Sequence, residues 1–137
     1  MDAAAGTLFE SAAPSMLASR EGVDPVEAFW LEVKVVAQHC FTHGVPGPNR
    51  AYSTELLRIA ASDIPKLAKE SMIRWAGVLL VLFTRDESIA SHDLDAFVRK
   101  AVERGLPIRE PSIVGLAVPD LIGNATCTVA LFPVRPN

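Results

Sequence analysis

The run His39-Cys40-Phe41-Thr42-His43 is where residue type and spacing come closest to chemistry. Read on a helix, two imidazoles four residues apart share one face, which is the spacing of a helical two-histidine metal site. Glu32 falls seven residues before His39, two turns up the same face. Glu32, His39 and His43 would then offer a carboxylate and two nitrogen donors along one edge of a helix. The zinc-protease arrangement is excluded, because it needs Glu directly after the first His and this chain has Cys40 there. A metal would also need a further ligand. His92, with Asp93 beside it, is the one remaining imidazole. The competing reading is structural: a histidine near a helix C-terminus favours the negative end of the macrodipole.

Cys40 is a poor nucleophile on this reading. Neighbouring residues on a helix point about 100° apart, so His39 does not face it. Cys40 also lies on the inward stripe, where desolvation raises a thiol pKa and silences it. Asp93 and Asp95 fall in the first turn of an expected helix, where carboxylates favour the dipole. Gly44 to Asn49 is glycine- and proline-rich but lacks the Lys and Ser/Thr of a phosphate loop. Arg50, Arg58, Lys66, Lys69 and Arg74 could gather in space, but no helix-turn-helix pattern accompanies them.

The elements that would position these residues read as mainly helical. Asp24-Pro25-Val26-Glu27 has an N-cap, a proline for the first helical position and a capping-box glutamate. Val26, Phe29, Trp30, Val33, Ala37, Cys40 and Phe41 then make one stripe, which Gly44 ends. A short helix is expected over about 52–61. The most distinctive stretch is 63–84, where Ile64, Leu67, Ala68, Trp75, Leu79 and Leu82 recur at helical spacing. From Trp75 to Phe83 no polar side chain appears. A helix apolar on every side must be buried on every side, so 63–84 is expected to be the central helix, with Trp75 and Leu79 in the core. A fourth helix is expected from Ser91, with Leu94, Phe97, Val98, Ala101 and Val102 inward and Gly105 ending it. Beyond Pro107 the residues turn β-branched, and 113–132 reads as a β-hairpin.

The fold class expected is therefore α+β: about four helices around a buried central helix, with a C-terminal β-hairpin. Residues 1–23 are expected to be a loosely ordered arm, and 24–137 a single globular domain, the usual size for a chain of 137 residues. Hydrophobic residues are 50% and charged residues 21%, which excludes a disordered chain. The net charge of −3 and the lack of a basic run argue against nonspecific nucleic-acid binding. Two distant cysteines do not form a disulfide framework, and 1–23 has no basic, apolar signal sequence; both fit a soluble cytoplasmic protein.

The function expected is that of a small non-catalytic protein-interaction module, such as an inhibitor, immunity-type protein, adaptor or accessory factor. No cofactor is expected. A lone hairpin is marginal in water, and an uncovered strand edge accepts a partner strand. Thr126, Thr128 and Ala130 are therefore expected to border an edge that binds another protein or a second copy, giving a homodimer. The alternatives are a small metal-dependent enzyme using Glu32, His39 and His43, and a regulator associated with nucleic acid.

Overall fold

The computed structural model describes residues 24–120 and 122–135. Six strands and two helical stretches follow one another along them. Strand β1 (Phe29–Ala37) leads into a small antiparallel hairpin, β2 (His39–Thr42) and β3 (Val45–Pro48). A continuous helical rod comes next: α1 (Tyr52–Arg58), a π-helical segment (Ile59–Asp63) and α2 (Ile64–Lys69). Strand β4 (Trp75–Thr84), helix α3 (Glu87–Glu103), and strands β5 (Ser112–Ala117) and β6 (Thr126–Val134) complete the order.

The main sheet has the order β1-β4-β6-β5. β1 runs parallel to β4, with Phe29 opposite Trp75 and Ala37 opposite Phe83. β6 is antiparallel to β4 on one side and to β5 on the other. A parallel pair needs a long crossover, and the hairpin and rod supply it. The rod and α3 both pack on one face of the sheet. Leu56, Ile59, Ile64, Leu67, Leu94 and Phe97 meet Val36, Val78, Leu80, Leu82, Ala130 and Phe132 there in a single core. The Phe97 and Phe132 rings lie 5.1 Å apart, tying α3 to β6.

The expectation of four helices around a central helix, a helical bundle, is overturned. Residues 63–84 are not one helix. The rod ends at Lys69, and the charge-free run Trp75–Thr84 is an interior strand of the sheet. A strand that is apolar on both faces is as uniformly apolar as a buried helix, so periodicity alone does not separate them. Val78, Leu80 and Leu82 are fully buried, whereas Trp75, expected in the core, is 53% exposed. Leu79 is half-buried on the same side as Trp75.

The helix expected from Asp24 is also corrected. Asp24 does cap a turn, its carboxylate accepting from the Val26 N–H at 3.0 Å, but that turn is a single 3₁₀ turn over Pro25–Glu27. The chain then extends into β1, where Leu31, Val33 and Val35 alternate with Glu32 and Lys34. That is a period of two, the signature of a strand.

Proline 65 shapes the rod. It has no N–H to give the Ala61 carbonyl, and its ring would press on that carbonyl. The preceding turn widens, and the Ile64 N–H bonds to the Ile59 carbonyl, five residues back. Helix α3 begins earlier than expected, at Glu87. Asp86 is its N-cap and accepts from the Ile89 N–H at 3.0 Å. That bond and the Ser88 hydroxyl hold the Asp86 carboxyl below its ordinary pKa. Gly105 follows α3 at φ +66°, the left-handed conformation that glycine adopts without strain. The expected arm, 1–23, lies outside the described residues.

Candidate interaction surface

The residues expected to bind metal do not meet. Glu32 is on β1 and faces the helical rod. His39 opens β2, and His43 sits in the β2–β3 turn at φ 52°. The shared helix face that would have aligned them does not exist, because 29–42 is extended. His39 is held instead to the loop before β6. Asn124 Oδ1 accepts from the His39 N–H at 3.1 Å and lies 3.2 Å from Nδ1, while Asn124 Nδ2 donates to the His39 carbonyl at 2.9 Å. Among the described residues, no group of three His, Cys, Asp or Glu side chains is placed to hold a metal ion. Cys40 and Cys127 are free thiols, Cys40 half-buried and Cys127 buried.

Glu32 instead belongs to an ion cluster. Lys34 Nζ lies 3.2 Å from Glu32 Oε2 and 3.3 Å from Asp63 Oδ2. The π-helical segment carries Asp63, which is almost wholly buried. Burial pulls the Lys34 pKa down, but the hydrogen bonds and charges of Glu32 and Asp63 outweigh it, so the ammonium is held above its ordinary value. A lysine nucleophile needs the opposite shift. The cluster therefore ties β1 to the rod, and its lysine stays protonated at neutral pH. A groove of about 480 Å³ adjoins it, lined by Trp30, Glu32, Lys66, Leu67, Met72 and Ile73. Asp93 and Asp95 are not in a first turn. Asp93 accepts the Tyr52 hydroxyl at 2.6 Å, clamping α1 to α3. The cationic residues Arg58, Lys66 and Lys69 share the rod with Glu55 and Asp63.

Thr126, Thr128 and Ala130 do not border a free edge. β6 is paired along both sides, and these three residues face the helices. Thr128 is 4% exposed and Ala130 fully buried. The edge strands are β1 and β5. A strand placed last in sequence is not thereby last in the sheet, and the apolar alternation of β6 could not reveal its neighbours.

The feature that sequence reasoning missed is the other face of the sheet. Register fixes its members. Phe29, Leu31, Val33 and Val35 come from β1; Trp75, Gly77, Leu79, Val81 and Phe83 from β4. Cys127, Val129, Leu131 and Pro133 come from β6, and Ser112, Val114 and Leu116 from β5. None of these side chains is charged. Neither the rod nor α3 covers them. Exposure is 55% for Phe29, 52% for Val33, 62% for Val35, 58% for Val114 and 53% for Leu116. Phe41, at 61%, prolongs the patch beyond Phe83, where both line a shallow recess with Val118 and Ile122.

Two patterns show how unusual this face is. A sheet with one solvated face alternates apolar and polar residues, whereas β4 is apolar on both faces. In β1 the charged pair, Glu32 and Lys34, points toward the helices beside Trp30 and Val36, while Phe29, Leu31, Val33 and Val35 point away from them. The signal was present as the period of two in 29–36, which a helical stripe through the same residues obscured. No protein-family model matches the chain, and no match was found among the curated proteins or the solved structures compared with it.

Proposed function

We propose that the chain is a non-catalytic protein-interaction module of the cytoplasm, and that the open face of its sheet is the working surface. The observation that carries this reading is the uncharged face spanning all four strands. Applied to ordinary side-chain areas, the exposures of its large residues leave roughly 700–800 Å² of apolar surface. The largest patch on a typical monomer is about 300–600 Å². A surface of this kind binds by burial and shape and has no group to activate a substrate. No helix among the described residues is long and apolar enough to cross a membrane.

A photoreactive phenylalanine analogue at Val114 tests the reading in cells, with the same analogue at exposed Ser53 on α1 as the control. The expected result is a protein adduct at Val114 that Ser53 does not give. Irradiation that leaves Val114 unlinked, or links it only within its own chain, would refute the reading.

A further inference from the structure

We infer that the open sheet face is covered by a second copy of this chain, two sheets packing face to face about a two-fold axis. The inference rests on the interaction reading above and names its partner. Leu31, Val33, Val35, Trp75, Val114 and Leu116 are all about half exposed on that face. With Phe29 and Phe41 they leave roughly 700–800 Å² per copy, close to the about 800 Å² that one partner contributes to a standard-size stable interface.

The chemistry of the face selects its occupant. Its strands present no charged side chain and, besides Ser112, the Cys127 thiol and the Trp75 indole N–H, no polar one; the Arg74 guanidinium stands at one margin, 5.7 Å from the Trp75 ring centroid, so most of the face offers little to a charged or hydrogen-bonding partner. Its complement is another uncharged surface of the same breadth. Two copies of one sheet have the same twist, and such sheets stack about 10 Å apart with strands within about 30° of alignment. A two-fold contact is self-complementary by construction. β4 and β6 would then be covered on both faces, which suits strands whose outward side chains, Leu79, Val81 and Phe83 on one and Val129, Leu131 and Pro133 on the other among them, are uncharged. The outward apolar row of β1 would enter a core as well.

Residues 1–23 are a weaker candidate for the cover. After Met1 their large apolar side chains are Leu8-Phe9 and Met16-Leu17, with Val23 at the end. Two such pairs, separated by Pro14, do not tile four strands.

Sedimentation velocity of the full chain between about 1 and 100 µM tests the inference, a range that spans ordinary dimer affinities. The expected species at the upper end has twice the 14.7 kDa chain mass. The double variant Val35→Glu/Val114→Glu places a carboxylate on each edge strand, at positions that are open to solvent in the monomer. It should weaken the dimer by about a thousandfold or more, since four carboxylates would be buried without partners. Its amide-exchange protection in Val78 to Leu82 should persist, showing an intact monomer. A 14.7 kDa species at every concentration, or a dimer unaffected by the double variant, overturns the inference. If the chain is monomeric but Val114 still cross-links to a different protein in cells, the interaction reading survives and self-association does not. If neither is seen, both fall.

Discussion

Thr128→Val is expected to stabilise the protein by about 1–2 kcal/mol, the desolvation penalty of a buried hydroxyl left without a partner. Thr128 is 4% exposed, and its Oγ1 has no hydrogen-bond partner among the described residues. It sits between Leu82 and Gly115 on the helix-covered side of the sheet. Valine keeps the β-branch, so side-chain entropy and strand propensity change little. Thr84 provides the control. It lies on the same side of β4, fully buried, but its Oγ1 donates to the Asp86 carbonyl at 2.8 Å. Thr84→Val should therefore cost about 0.5–1.5 kcal/mol. Urea denaturation of the two variants at one protein concentration reads both signs, with m unchanged. For a chain of this length, each kcal/mol moves Tm by about 3–5 °C. Loss of stability in Thr128→Val greater than half a kcal/mol would show that the hydroxyl is satisfied, and the reasoning would fail.

Phe132→Ala should cost about 3–5 kcal/mol, because the ring is fully buried against Phe97; a midpoint shifted by less than a third of that would show the core is not centred there. Tyr52→Phe should cost about 1–2 kcal/mol at neutral pH by removing the partner of Asp93 Oδ2. Burial and then Asp93 raise the Tyr52 pKa above its ordinary 10.0, so the folded state holds this proton more tightly than the unfolded chain does. Its contribution is complete below that value and is lost as pH rises through the folded pKa. Alkaline titration of stability should accordingly fall less steeply above pH 10 in Tyr52→Phe than in the wild type, and equal slopes would contradict the assignment. Gly123→Ala should destabilise the loop before β6 by about 1 kcal/mol or more, since Gly123 sits at φ +116° and a methyl would lie 2.9 Å from the His39 ring. Unaltered amide exchange at His39 and Asn124 in that variant would speak against the tie between loop and hairpin.

The legible parts of the fold were those with local causes. Asp24 as a cap, Gly105 as a helix stop, the inward set Leu94, Phe97 and Ala101, and the strand character of 113–117 and 126–132 all follow from residues within a few positions of one another. Segment 75–84 was not legible, because a strand apolar on both faces and a buried helix read alike; Gly77, Val78 and Val81 were the small and β-branched hints toward a strand. For 26–41, a helical stripe and a two-residue alternation coexist in the same letters, and the parallel partner that decides between them lies more than forty residues away in sequence. The expected site residues were placed elsewhere for the same reason. The spacing of His39 and His43 has meaning only on a helix. The exposure of Thr126, Thr128 and Ala130 depended on which strand lay beside them. The open face could not be read until register placed Val35, Val81, Val129 and Val114 in one row.

The position of β6 constrains how the chain can be made as well as how it is held. β5 pairs only with β6, and β4 pairs with β6 along its whole length. During synthesis, β1, the rod, β4 and α3 can associate early, but the flank of β4 opposite β1 stays without a partner until Thr126–Val134 leaves the ribosome. That flank is one of the most apolar stretches in the protein, and unpaired apolar strands are the usual seeds of aggregation. A nascent chain stalled after β5 would have every helix and yet only a two-stranded sheet. Such a species is the natural client of a chaperone, and the closing of β6 between two waiting strands is expected to set the folding rate.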